Sequence, residues 1–97
     1  VAGIYSATKA ALWSTTNSLR LELAPAGVHV LGVHVGYVDT PMAATAEGPK
    51  VDPADLVRQV FDGLESGEYE VLADETSVQV KAGLSAPLEA VYPQLAR

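Results

Sequence analysis

The sequence predicts an α/β fold carrying a parallel sheet, and three observations support it. Residues 6–24 form an alanine-rich helical stretch without a solvated face. The run Val28-His29-Val30-Leu31-Gly32-Val33-His34-Val35 is nearly continuous in aliphatic and β-branched residues, which suits a parallel strand covered on both sides. Helical and strand patterns then alternate, with a helix over about 53–65, a short strand at 69–72 and a helix over 74–84.

The first helix is stopped by Pro25, with Gly27 free to take the positive φ of a helix terminus. At about 100° per residue, Tyr5, Lys9, Leu12, Thr16, Leu19 and Leu23 share one side; Ala7, Ala10, Ala11, Ser14, Ser18 and Leu21 lie around the other. Past Lys9 only Arg20 and Glu22 carry charge. Such a helix is expected to be buried on both sides, either at a subunit interface or within the protein's own fold. In the strand that follows, His29 and His34 are an odd number of positions apart and point to opposite faces, so they cannot meet at one metal. Each reads as a packed or hydrogen-bonded histidine, and no other cluster has metal-ligand spacing.

Beyond the strand, Thr40-Pro41 has the form of a helix cap with proline at the first position. The stretch from Met42 to Val51, broken by Gly48-Pro49, has no pressure toward regular structure. Asp52-Pro53-Ala54-Asp55 opens the second helix with a cap and acidic charge at the positive end of its dipole. Leu56, Val57, Val60, Phe61 and Leu64 recur at helical spacing as its core face, and Ser66-Gly67 ends it. Asp74 caps the third helix. Leu88, Val91, Tyr92 and Leu95 are packing residues of a short terminal turn, while Glu65, Glu68 and Glu70 read as a solvated acidic surface.

Tyr5 and Lys9 are the residues that carry chemistry. Four positions apart on a helix, they are surface neighbours, so the ammonium lowers the cost of a tyrosinate and the pair suits general acid/base work. A free tyrosine titrates near ~10, and bringing such a group to about 7 requires roughly 4 kcal/mol. A positive charge at ~4 Å supplies about that much at an effective dielectric of ~20. The alternative is an ordinary i,i+4 pair on a solvated helix.

Context sharpens the motif. Tyr5-Ser6-Ala7-Thr8-Lys9-Ala10-Ala11-Leu12, the helix end Leu21-Glu22-Leu23-Ala24-Pro25, the apolar strand and then Gly36-x-Val38-x-Thr40-Pro41-Met42 resemble the short-chain dehydrogenase/reductase family in its own order and spacing. The resemblance covers the whole chain but only the carboxyl-terminal half of that family's domain. It implies the last two strands and associated helices of a doubly wound, Rossmann-type parallel sheet, incomplete as a single partial domain over 1–97. It also implies an NAD- or NADP-dependent oxidoreductase that interconverts a small-molecule carbonyl and a secondary alcohol. Tyr5 matches the proton donor or acceptor, and Lys9 the residue that tunes it and holds the nicotinamide ribose. Gly36, Val38 and Thr40 match the loop that contacts the nicotinamide carboxamide, and Met42 begins a stretch matching the substrate loop, which could equally be a plain surface connection. One departure is Val35-Gly36 where the family usually has Pro-Gly; the loop loses one rigid φ angle, though the contact itself does not need the ring.

The chain begins Val1-Ala2-Gly3-Ile4 and contains no Gly-x-Gly-x-x-Gly turn to cradle a pyrophosphate. The family's catalytic serine and asparagine are also missing. It therefore reads as a carboxyl-terminal fragment, inactive by itself, with a non-catalytic structural or oligomerisation module as the alternative. Composition points to a soluble, cytoplasmic setting: 97 residues, 48% hydrophobic, no cysteine, no run long enough to span a membrane and no targeting peptide. A net charge of −6, from 12 acids against 6 unclustered bases, disfavours nucleic acid. A chain this short buries about 60–65% of its unfolded surface, so a homo-oligomer through the 6–24 helix is expected.

Overall fold

Two parallel strand pairs organise the computed structural model, which describes residues 3–95. β1 (Gly32–His34) pairs with β4 (Glu70–Leu72), with Gly32 opposite Glu70, Val33 opposite Val71 and His34 opposite Leu72. β2 (Tyr37–Val38) pairs with β3 (Lys50–Val51). Around them lie α1 (Gly3–Leu23), α2 (Pro53–Ser66), α3 (Glu75–Gly83) and the single turn α4 (Leu88–Val91). The α/β class and the parallel pairing are those expected.

Local chemistry explains the boundaries. α1 tightens into a 3-10 turn over Ala24–Ala26 and stops at Gly27, whose φ of 77° is left-handed. α2 starts on Asp52, whose carboxylate accepts the Asp55 amide, and ends at Gly67 with φ 72°. α3 starts on Asp74, whose carboxylate accepts the Ser77 amide at 2.9 Å.

Strand alternation sorts the helices into two layers. Val71, the one buried apolar side chain among the described residues, faces α2, where a Cβ on Gly63 would lie 2.8 Å from its Cγ2. Glu70 and His34 face the other way, toward α1 and α3. There the Glu70 carboxylate accepts from Trp13 Nε1 of α1 at 3.0 Å, from His34 Nε2 at 2.8 Å and from Lys81 Nζ of α3. Lys81 also sits 5.1 Å from the centre of the Trp13 ring. At the opposite end of the strands Arg20 donates to the Val30 carbonyl at 3.1 Å and the Tyr69 carbonyl at 2.8 Å, which fixes the far end of α1.

Several expectations need correcting. Glu70 does not belong to a solvated acidic surface; three donors converge on it because the sheet brings Trp13, His34 and Lys81 together. The strand expected over 28–35 pairs only at 32–34, since β4 offers three residues. Within 42–51, Lys50–Val51 does form regular structure, because β2 supplies a ladder for it. The partly covered stripe of α1 runs through Trp13, Thr16, Asn17, Arg20 and Leu23, with Leu12 and Leu19 left exposed. Within this chain the helix expected to be buried on both sides is therefore covered along one stripe only, whose direction the bonds from Trp13 and Arg20 set. On α2 the covered stripe includes Leu56, Val60 and Gly63, leaving Val57, Phe61 and Leu64 exposed. Leu88, Val91, Tyr92 and Leu95 are exposed as well.

Much apolar surface is therefore uncovered. The accessible surface is 7480 Å², where a compact protein of this mass exposes about 5,300 Å². The radius of gyration is 15.5 Å, against about 12.5 Å for a compact domain of this length. No helix of the described residues is long and apolar enough to cross a membrane.

Two predictions follow from these contacts. Hydrogen bonds from Lys81, then Trp13 and His34, hold the Glu70 carboxyl down at about 2, against partial burial that pushes it up. A depressed carboxylate stabilises the fold above its unfolded value and loses that contribution as pH falls toward its folded one. The gap in melting temperature between wild type and Glu70→Gln should be widest above pH 5 and close as pH approaches 2. Thermal melts followed by fluorescence of Trp13, the single tryptophan, measure it; a gap independent of pH would leave Glu70 with a packing role alone. Gly63→Ala should overpack the Val71 contact at a cost of roughly 1–3 kcal/mol, partly offset by about 1 kcal/mol of helix propensity. A urea midpoint at or above that of wild type would contradict so close an approach of helix and strand.

Candidate active site

Tyr5 and Lys9 continue the stripe by which α1 is anchored. Counting back from Trp13 by four residues gives Lys9, and by four more gives Tyr5, so the bond from Trp13 to Glu70 also sets the direction in which this pair faces. The Lys9 ammonium lies 5.4 Å from the centre of the Tyr5 ring, a cation–π contact across one helical turn. Among the described residues no carboxylate pairs with Lys9, and Tyr5 is 64% exposed. A phenol and an ammonium thus stand together, open to an incoming molecule.

They open onto a groove of ≈ 500 Å³ between α1, the carboxyl end of β1 and the start of α3, lined among others by Trp13, His34, Gly36 and Thr76. The space beyond the carboxyl ends of parallel strands is where ligands bind in open α/β sheets. Gly36 lies in the groove wall and donates its amide to Asp74 Oδ2 at 2.7 Å. Val38 is held in the β2 ladder, and the next amide, of Asp39, donates to the Val51 carbonyl at 2.8 Å. The Thr40 hydroxyl donates back to the Val38 carbonyl at 3.4 Å, so it does not cap the 3-10 turn Pro41–Ala43 that follows. Met42 is 96% exposed. Tyr5, Lys9 and Gly36 therefore share one groove, whereas Val38, Thr40 and Met42 lie outside its lining, on the segment that leaves it.

Both histidines are hydrogen-bonded. His29 Nε2 donates to the Glu68 carbonyl at 2.6 Å and its ring stacks on Tyr69 at 5.5 Å, while His34 donates to Glu70. Among the described residues no group of three or more histidines and carboxylates could hold a metal ion. Sequence reasoning missed the Trp13–His34–Glu70–Lys81 cluster, whose hydrogen-bonded pairs lie up to 57 positions apart. It also missed the second bond of Asp74, which was legible only as a helix cap.

A sequence model of the short chain dehydrogenases matches residues 1–50. The chain belongs to this family. It is 35% identical, over 95% of its length, to a short chain dehydrogenase from Burkholderia cenocepacia whose crystal structure is in complex with NADP; the TM-score is 0.80 and the match covers 40% of that chain. An uncharacterized oxidoreductase of Staphylococcus saprophyticus is 35% identical over 78% of this chain and 33% of its own length. One from Staphylococcus aureus is 42% identical over 63% of this chain and 28% of its own. The chain thus spans about a third of the curated relatives it matches, and its parallel, Rossmann-type fold is that of the family.

Proposed function

We propose that the protein carrying this chain is a nicotinamide-dependent oxidoreductase that interconverts a carbonyl and a secondary alcohol. The pairing of Tyr5 with Lys9 at the mouth of the groove, beside the carboxyl end of β1, is the observation that carries the reading. The donors here suit the nicotinamide and its ribose: the Lys9 ammonium and Tyr5 hydroxyl for the sugar, and the backbone of Val38 with the Thr40 hydroxyl for the carboxamide. Gly36 keeps that loop free of a side chain. A relative with NADP bound supports the cofactor class. No glycine-rich pyrophosphate turn occurs in the 97 residues, so they serve the nicotinamide end alone.

A nicotinamide held there would supply the hydride to the carbonyl carbon in reduction, or accept it from the carbinol carbon in oxidation. In reduction Tyr5 Oη–H gives its proton to the carbonyl oxygen, and in oxidation the tyrosinate takes the proton of the alcohol. Lys9 orients the ribose by its N–H donors. The segment from Met42 borders the substrate.

The prediction concerns the full-length protein. Tyr5→Phe keeps the ring under the Lys9 ammonium and removes the exchangeable proton, so turnover should fall by about 10²–10⁴-fold with the melting temperature unchanged. Lys9→Ala should lower turnover and also raise the cofactor KM. Single-turnover rates for Tyr5→Phe within twofold of wild type would leave the pair an ordinary surface contact.

A second reading rests on the uncovered apolar surface: the chain also serves as an association module through α1 (Gly3–Leu23), the helix expected over 6–24. Ile4 is 85% and Leu21 76% exposed, and α1 has no buried residue. Ala10 lies on the exposed side, so Ala10→Arg is harmless to a monomer but places an unpaired charge in a helix-to-helix contact. Light scattering across a dilution series should show a multimer for wild type and a smaller species for Ala10→Arg. Identical masses would remove α1 from the interface.

A further inference from the structure

Gly36 and Asp74, 38 positions apart, meet where the sheet ends. Gly32 N–H donates to the Tyr69 carbonyl at 2.9 Å, and Ala73 N–H to the His34 carbonyl at 2.9 Å. Continued in this parallel register, which repeats every two residues, the Gly36 amide would donate to the Ala73 carbonyl. Gln59 Nε2 of α2 donates to that carbonyl instead, at 3.2 Å. The Gly36 amide turns to Asp74 Oδ2, while Asp74 Oδ1 accepts the Ser77 amide. One carboxylate thus ends the ladder and begins α3, an oxygen for each task.

The glycine belongs to this arrangement for reasons of space. Its φ is not among the left-handed glycines, which are Gly27, Gly48 and Gly67 among the described residues. A Cβ on Gly36 would instead lie 2.9 Å from Asp74 Oδ2, closer than real Cβ atoms approach. Three residues of chain separate this clamp from Thr40, with Val38 between them.

We propose that Asp74 is a positioning residue for the cofactor: by tying the Gly36 amide to the first turn of α3, it sets where Val38 and Thr40 meet a nicotinamide. The proposal rests on the function proposed above. The clamp supplies a constraint at the point where Val35 replaces a rigid proline. Hydrogen bonds, that with Ser77 first and then the backbone amides of Ser77 and Gly36, hold the Asp74 carboxyl below its ordinary value against partial desolvation, in keeping with a carboxylate charged at neutral pH and fully engaged by donors.

The test separates capping from clamping in the full-length protein. In Asp74→Ser the shorter side chain still caps α3 but cannot span to Gly36. Amide exchange at Gly36 should accelerate by about tenfold or more on loss of a charge-assisted bond. The KM for NADH or NADPH, whichever the wild type uses, should rise by about tenfold, because the loop is misplaced, while kcat stays within twofold and the melting temperature within a few degrees. Asp74→Asn, with one acceptor oxygen left, should fall between. Unchanged exchange at Gly36 would overturn the clamp. Faster exchange with an unchanged cofactor KM would overturn the positioning role and leave Asp74 a structural residue. Wild-type protein that binds neither dinucleotide would overturn the functional reading itself, and this proposal with it.

Discussion

Glu70 is the point at which this small structure is held together. Its carboxylate gathers the indole of α1, the imidazole of β1 and the ammonium of α3 onto one face of a three-residue strand pair. With Val71 the one buried apolar side chain among the described residues, packing alone does little to fix how the helices are rotated against the strands. Directional, charge-assisted bonds perform that task here. The orientation of Tyr5 and Lys9 follows from it, because both stand on the helical stripe that Trp13 anchors.

The site is built by relaying constraint along elements. α1 is pinned twice, by Trp13 to β4 and by Arg20 to the backbone at Val30 and Tyr69, so its amino-terminal end extends past the sheet in a defined direction. Across the groove, Asp74 joins the exit of β1 to the start of α3. The Tyr5–Lys9 pair and the loop that follows β1 are thus positioned by two separate carboxylates, Glu70 and Asp74, four positions apart where β4 leads into α3. Around them the outer faces of α1 and α2 stay uncovered, with Leu21, Phe61 and Val57 exposed. Such faces gain free energy when another surface covers them, which is the physical basis for expecting association.

A good part of this was legible in the residues. The parallel strands, the stops at Pro25, Gly27 and Gly67, and the caps at Asp52 and Asp74 rest on local rules of dihedral preference and hydrogen-bonding side chains. Tyr5 and Lys9 were legible together because helical spacing is itself local. Which stripe of α1 meets the sheet was not legible for the same reason: periodicity left both sides of the helix apolar or small, and it cannot register that Trp13 and Arg20 find acceptors on strands far along the chain. β3 went unseen because two residues of strand exist only where a ladder is offered.

The sequence by itself determined the α/β class, the family, the order of the elements and the placing of Tyr5 beside Lys9 on one helix face, since each depends on residues within a few positions of one another. Tertiary structure alone decided that Glu70 is an anchor and not surface charge, that Gly36 is needed for its closeness to Asp74, and that Val38 and Thr40 leave the groove that Tyr5, Lys9 and Gly36 share. Those outcomes depend on contacts made across 38 and 57 positions, set by strand register and helix rotation, for which a single chain of letters carries no periodic mark.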